Sequence, residues 1–208
     1  MNSNEKTYLK TFLSVVLVFV LQLDLLAQSE EKKIEDLINQ MTIEEKVGQM
    51  TNIAIGMILE EKGDAIVLDY PKLRNVLIKN NVGSFQNVNN HAYTLKQWHE
   101  MINEIQKINM EESRLKIPML YAIDAVHGAN YTIGSTIFPH NLGIAATRNL
   151  EIAKLSGEVT AKEVRASGIR YNFSPVLDAG RHPLWPRIAK SSLSETSKYA
   201  FFKALTSF

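Results

Sequence analysis

Apolar residues recur at helical spacing in the first part of the chain after residue 30. Residues 34–41 carry apolar side chains three or four positions apart, which predicts an amphipathic helix. Thr42 and Glu45 have the form of a capping box, so a second, short helix is expected to begin there. Pro71 suits the first turn of a further helix, because a residue at that position needs no backbone N–H.

Two longer helices are predicted downstream. Thr94 and Gln97 form another capping box, which opens a helix with a regular apolar face. That face consists of Trp98, Met101, Ile102, Ile105 and Ile108. Asn149 is the expected cap of a helix over residues 150–166, and Gly168 is expected to end it.

Three apolar stretches between these helices predict strands. They cover residues 82–85, 118–123 and 171–178, and the last two lead into Asp124 and Asp178. Continuous apolar runs suit strands that are buried on both faces of a parallel sheet. Alternating helices and strands imply right-handed βαβ units, so the predicted class is α/β. An open doubly wound sheet and a (β/α)8 barrel both fit, and about three βα units are expected.

The N-terminus has a different composition. Lys6 and Lys10 precede an apolar run over residues 12–23, and residues 28–33 are strongly polar. This order predicts a secretory signal peptide over residues 1–27 and a secreted or periplasmic protein. The apolar run is shorter than the ~20 residues of a membrane-spanning helix, and an uncleaved anchor is the alternative. No other membrane association is expected.

Composition excludes several classes of protein. Lys and Arg number 23 and Asp and Glu 22, for a net charge of +1, so no basic surface for nucleic acid is expected. Cysteine is absent, which excludes disulfides. Hydrophobic residues make up 45% of the chain, enough for a buried core. The oligomeric state stays open.

The residues after the second predicted strand are the first candidate site. Asp124 lies at the strand end, where a barrel enzyme carries its site residues, and a carboxylate there can accept hydrogen bonds from sugar hydroxyls. A simple turn or cap aspartate is the alternative. His127 and His140 follow in the same loop, but no further pair with metal-ligand spacing accompanies them. They are interpreted as structural, and no metal or cofactor is predicted.

The loop after the third predicted strand is the second candidate site. It combines Arg181, Trp185 and Arg187 with two prolines. Tryptophan faces stack on sugar rings and arginine binds oxygen-rich ligands, although a packed loop with an Arg181–Asp178 pair is the alternative.

Glu158, Glu163 and Asn172 are interpreted as residues without a role in a site. The carboxylates of Glu158 and Glu163 are interpreted as a solvated helix face. Asn172 belongs to a strand and to a weak glycosylation sequon.

Long motifs in the second half resemble the first domain of β-glucosidases of glycoside hydrolase family 3. They include Ile-Pro-Met-Leu-Tyr-Ala-Ile-Asp-Ala-Val-His-Gly, Thr-Ile-Phe-Pro-His-Asn, Ala-Lys-Glu-Val-Arg-Ala-Ser-Gly-Ile, Phe-Ser-Pro-Val-Leu-Asp and Pro-Leu-Trp-Pro-Arg. The stretch from Ile34 to Met50 is similar to the opening of such proteins. The resemblance implies a (β/α)8 barrel followed by an α/β sandwich, and retaining, exo-acting hydrolysis of β-linked gluco-oligosaccharides or glucosides.

The resemblance also implies residue roles. Asp124 and Arg187 match the residues that bind the non-reducing-end sugar, and His127 and His140 match structural positions or positions behind the sugar contacts. Trp185 and Arg181 are expected behind Arg187. No catalytic residue is assigned, because the nucleophile and the acid/base of the family are expected beyond Phe208.

The family pattern predicts a division of the chain into three segments. The signal peptide covers residues 1–27, the N-terminal part of the barrel residues 28–188, and a divergent tail residues 189–208. The loss of pattern after Ile188 suggests an interrupted gene, so the 208-residue chain alone is expected to be inactive. The alternatives are a non-catalytic carbohydrate-binding protein and a non-functional fragment.

Overall fold

The computed structural model describes residue 12 and residues 30–62, 65–176, 182 and 184–186. The predicted signal peptide, except for Phe12, and the predicted tail lie outside these residues. The chain divides into two units, residues 1–46 and 47–208. No helix within the described ranges has the length and apolarity needed to cross a bilayer.

The first unit contains the helix that the apolar spacing predicted. This helix, α1, covers residues 30–40 of the described chain, and α2 follows over Ile43–Gln49. The predicted capping box is confirmed: the Thr42 N–H donates to Glu45 Oε2 at 2.9 Å, and the Glu45 N–H donates to Thr42 Oγ1 at 3.2 Å. Both bonds are local, so the sequence alone was sufficient to predict them.

The second unit is built on a parallel sheet, as predicted. Its strands pair in the order β1-β4-β5-β6, and their bounds are Asn52–Ala54, Ser84–Gln86, Leu120–Ile123 and Tyr171–Asn172. The central register aligns Ile53, Phe85 and Tyr121 across three strands. The three predicted strands are therefore present with shorter bounds, and β1 is an additional strand that the prediction missed. The described sheet has four strands, where about three βα units were expected.

A hairpin that was not predicted follows β1. A 3-10 turn over Ile55–Ile58 leads into β2 (Leu59–Lys62), which pairs antiparallel with β3 (Ala65–Leu68). The next helix, α3 (Tyr70–Arg74), continues into a π-helical turn over Asn75–Lys79. Pro71 lies in its first turn, as predicted.

Three helices complete the second unit: α4 over Leu95–Glu112, α5 over Asn141–Ala146 and α6 over Leu150–Ala166. Thr94 and Gln97 form both bonds of the predicted capping box. Asn149 accepts from the N–H groups of Glu151 and Ile152, which confirms its role as the cap of α6. Gly168 follows the helix with a φ of +81°, a conformation that favours glycine.

The apolar face of α4 forms the centre of the core. Trp98 is fully buried, and its ring meets Tyr93 at 5.0 Å and Tyr121 at 5.5 Å in edge-to-face geometry. The other buried members of this face are Ile102, Ile105 and Ile108, and Met101 is half-buried. They belong to one cluster with the sheet residues Phe85 and Ile123, so α4 holds the sheet strands in place.

Candidate functional site

The carboxyl ends of the parallel strands place several polar residues at one edge of the sheet. Asn87 follows β4, Asp124 follows β5, and Asn172 is the last residue of β6. In parallel α/β folds this edge carries the functional side chains. Asp124 therefore occupies the position that the sequence predicted for a site residue.

The main chain around Asp124 is held from both neighbouring strands. The N–H of Asn87 donates to Ala122 O at 3.0 Å, and the N–H of Phe173 donates to Ile123 O at 2.9 Å. The N–H of Ala125 donates to Asn172 Oδ1 at 3.1 Å. Asp124 is half-buried, and none of the described residues pairs with its carboxylate. Backbone hydrogen bonds from both neighbouring strands thus hold the chain around the carboxylate, which makes no hydrogen bond to any described residue.

Tyr121 ties the strand before Asp124 to its neighbour. Its hydroxyl donates to the carbonyl oxygen of Asn87 at 2.7 Å, and Asn87 itself adopts a left-handed φ of 61°. Burial, and to a lesser extent the neighbouring Tyr93, raises the pKa of Tyr121 far above its usual range. The hydroxyl therefore stays protonated and keeps donating, which fixes the backbone after β4.

The two histidines of the loop after β5 lie against each other. Their ring centroids are 4.2 Å apart with an interplanar angle of 80°. His127 Nδ1 lies 3.1 Å from Phe138 O, and the Phe138 N–H donates to His127 O at 2.8 Å. These contacts hold the two ends of the loop together. Across the described ranges, no cluster of three potential metal-binding side chains occurs.

Glu163 does not lie on a free solvated face, which corrects the interpretation from the sequence. Its carboxylate accepts two hydrogen bonds from the loop after β5, from Thr136 N at 3.0 Å and from Thr136 Oγ1 at 2.9 Å. The carbonyl of the same threonine lies against Gly128, whose φ is +84°, so that a Cβ on Gly128 would overlap it. Glu158 is half-buried and pairs with Lys154 on its own helix at 3.5 Å.

The Glu163→Gln variant is expected to lose about 1–2 kcal/mol of unfolding free energy, because hydrogen bonds to a charged carboxylate are stronger than those to a neutral amide. Urea denaturation measures the change. Glu158→Gln on the same helix is the control, with an expected change within about 0.5 kcal/mol because its partner is a solvated lysine. Equal effects of the two variants would show that Glu163 does not anchor the loop.

The second candidate loop is only partly described. Asp178, Arg181 and Arg187 lie outside the described residues, so the predicted Arg187 contact with sugar stays a prediction. Trp185 is 47% exposed, and its backbone N–H donates to His182 O at 3.0 Å. Its predicted place behind Arg187 also stays a prediction.

The second unit contains a cleft beside α4 and a small cavity beside the loop that follows Asp124. A cleft of about 1100 Å³ lies between the β2–β3 hairpin and α4, and Tyr93 and Glu100 are among its lining residues. Asp124 does not line it. A cavity of about 30 Å³ lies beside the Asp124 loop and is lined by Ala125, Asn172 and Ser174, among others. Its size suits a single water molecule.

The profile of one family, described as the glycosyl hydrolase family 3 N terminal domain, matches residues 42–206 of the chain. The chain belongs to glycosyl hydrolase family 3. The resemblance recognised from the motifs is therefore confirmed. The match runs past Ile188, where the motifs end, and the predicted division of the chain at that residue stays a prediction.

Two curated relatives named as β-glucosidases are similar to most of this chain. A lysosomal beta glucosidase of Dictyostelium discoideum is 39% identical over 163 residues, which are 74% of this chain and 20% of that protein. A periplasmic beta-glucosidase of Salmonella typhimurium is 30% identical over 171 residues, which are 81% of this chain and 19% of that protein. The chain thus spans about a fifth of the length of these two relatives.

Solved structures of a β-glucanase and a β-glucosidase share the fold. An exo-1,3/1,4-beta-glucanase from a Pseudoalteromonas species superposes with a TM-score of 0.62 and is 34% identical, over 77% of this chain and 19% of that one. A beta-glucosidase of Listeria innocua, solved in complex with glucose, gives a TM-score of 0.60 at 26% identity, over 84% of this chain and 23% of that one. The predicted class is confirmed: the parallel sheet and its helices form part of an α/β barrel domain.

Proposed function

We propose that this family 3 chain forms the sugar-binding first part of a β-glucosidase-like hydrolase. The single observation that carries the proposal is the Asp124 carboxylate, half-buried at the carboxyl edge of the sheet and without a partner among the described residues. The matched relatives named as β-glucosidases support the reaction class. A relative solved with glucose and a variant of it solved with laminaribiose support a β-glucoside as the ligand.

The chemistry of Asp124 suits binding of the terminal sugar. An ionised carboxylate offers about four lone-pair positions and can accept from two neighbouring hydroxyl groups. Hydrogen bonds to a charged acceptor are stronger than those between neutral groups. The β5 backbone holds the acceptor before the sugar arrives, so little ordering is required on binding. Arg187 is proposed to bind the same sugar, with His127 and His140 supporting the loop.

The proposed reaction is retaining and exo-acting. Retention requires a carboxylate nucleophile and a second carboxylic acid about 5–5.5 Å apart, which act through a glycosyl-enzyme intermediate. Asp124 is proposed as a sugar ligand and not as either of these groups. The substrates are β-linked gluco-oligosaccharides or glucosides that present a non-reducing end.

A secreted or periplasmic location is part of the proposal. Family 3 relatives from Salmonella typhimurium and Dickeya chrysanthemi are named as periplasmic, although the Dictyostelium relative is named as lysosomal. The basic and apolar pattern of residues 1–27 supports export.

The stereochemistry of hydrolysis tests the reaction. The full natural protein that carries this sequence is incubated with p-nitrophenyl β-glucoside, and proton NMR follows the first glucose released. The expected product is the β-anomer, which mutarotates only later, and p-nitrophenyl α-glucoside is expected to remain intact. The α-anomer as the first product would contradict the retaining mechanism.

A binding measurement on the same protein separates the alternatives. If glucose raises the melting temperature of the protein and no β-glucoside is hydrolysed, the protein binds carbohydrate but is not an enzyme. Neither binding nor hydrolysis of any β-glycoside would overturn the proposed function.

A further inference from the structure

The side chain of Asn172 connects the two strands that meet at the candidate site. Its Oδ1 accepts one hydrogen bond from the N–H of Ala125 and a second from the N–H of Ser174, each at 3.1 Å. We propose that Asn172 is a positioning residue that holds Asp124 in place for sugar binding. This inference rests on the proposed function of Asp124.

The geometry shows why a side chain is needed at this point. In strands β5 and β6, Ala122 pairs with Tyr171 and Ile123 pairs with Asn172. The strand pairing ends at this second pair. One backbone bond, from the Phe173 N–H to Ile123 O at 2.9 Å, continues the ladder beyond the strand. The Asn172 amide oxygen then supplies the acceptor for Ala125, so that both neighbours of Asp124 in the chain are bonded to the β6 segment.

An asparagine suits this position for two reasons. Its carbonyl oxygen has two lone pairs, which matches the two N–H groups it receives. It is also neutral, so it adds no negative charge beside Asp124, whereas an aspartate there would repel that carboxylate. The side chain is half-buried, so the bonds are partly shielded from water.

Its effect on Asp124 is exerted through the backbone. Without Asn172 the Ala125 N–H has no partner from β6, and the loop after β5 gains freedom at its first residue. The carboxylate would then have to be ordered by the sugar, which weakens binding. The geometry of the reacting groups would be unaffected. The decrease of kcat/KM is therefore expected to come mainly from an increase of KM.

The test compares four variants in the full natural protein, two at Asn172, one at Gln106 and one at Asp124, with p-nitrophenyl β-glucoside as the probe. Asn172→Ala is expected to raise KM at least tenfold with a smaller change in kcat. Asn172→Asp keeps an oxygen that accepts both N–H groups and is expected to recover much of the lost kcat/KM, although its charge prevents full recovery.

Gln106→Ala is the matched control, because Gln106 also makes two side-chain bonds to backbone groups, both on Met119 at the opposite end of β5 from Asp124. It donates to Met119 O at 2.5 Å and accepts from Met119 N at 3.1 Å, at the amino end of β5. Gln106→Ala is expected to lower the melting temperature about as much as Asn172→Ala while leaving KM within twofold of the unmodified protein.

The outcomes separate the inference from the proposed function. If Asp124→Asn abolishes sugar binding and Asn172→Ala leaves KM unchanged, the positioning role is wrong and the function of Asp124 stands. Equal changes of KM in Asn172→Ala and Gln106→Ala would show a general loss of stability in place of positioning. If Asp124→Asn itself has no effect, the proposed function is wrong, and the inference that rests on it is overturned as well.

Discussion

Asp124→Asn is expected to lower kcat/KM for an aryl β-glucoside by about 10²–10⁴-fold in the full natural protein. Asparagine keeps the size of the side chain and removes its charge. A hydrogen bond to a charged group contributes about 1.5–3 kcal/mol, so two sugar hydroxyls account for about 3–6 kcal/mol. Each 1.4 kcal/mol corresponds to about a factor of ten. Steady-state kinetics on the purified variant measures the effect.

A control aspartate distinguishes this role from a general charge effect. Asp69 caps α3, where its Oδ1 accepts from the Lys72 N–H at 3.0 Å, and it pairs with the lysine ammonium. Asp69→Asn is expected to leave kcat/KM within twofold. If Asp124→Asn retains more than a third of the unmodified activity while folded, Asp124 does not bind the reacting sugar.

Trp98→Ala is expected to produce the largest loss of stability. Trp98 is fully buried at the centre of the core, between the rings of Tyr93 and Tyr121. Replacing a buried tryptophan by alanine costs about 3–5 kcal/mol, through lost burial and the cavity that remains. Domains are stable by only about 5–15 kcal/mol, so a large fraction of the stability is lost. Chemical denaturation measures the unfolding free energy.

Two further variants define the cause of that loss. Leu95 lies on the same helix and is 46% exposed. Leu95→Ala is expected to lower the unfolding free energy by no more than about 0.5 kcal/mol. Trp98→Phe keeps an aromatic ring and removes the indole N–H, which is buried without a partner among the described residues. It is expected to cost less than Trp98→Ala, since no hydrogen bond is lost. A Trp98→Ala loss below about 1 kcal/mol would show that the core does not depend on this ring.

The local sequence was sufficient to predict the helices, because the capping residues and their partners lie within a few positions of each other. The capping boxes at Thr42 and Thr94 and the cap at Asn149 involve partners two or three positions away, and all three are present. The start and end of α6 follow the prediction for the same reason.

The short strands were harder to predict because pairing partners stabilise them. Strand β1 has three residues, Asn52–Ala54, and the apolar stretch that begins in it continues through residues 55–59, which form a 3-10 turn and the start of β2. Strand β1 exists through its register with Ser84–Gln86 of β4. In the β2–β3 hairpin, β2 carries three charged residues and resembles a loop, whereas β3 (Ala65–Leu68) is an apolar run that the prediction overlooked. The contacts that stabilise β1 are non-local, whereas the hairpin pairs residues at most nine positions apart. For strands this short, propensity gives a weak signal.

The sequence by itself determined the family, the α/β class, the helix caps and the place of Asp124 at a strand end. Only the tertiary structure decided which side chains hold that aspartate and the loop that follows it. Glu163 binds Thr136 from 27 residues away, and Asn172 binds Ala125 from 47 residues away. A helical glutamate and a strand-end asparagine have no local pattern that distinguishes these roles. Their hydrogen-bond partners come within reach only when parallel strands and helices pack into one sheet, because that packing sets the distances between distant parts of the chain.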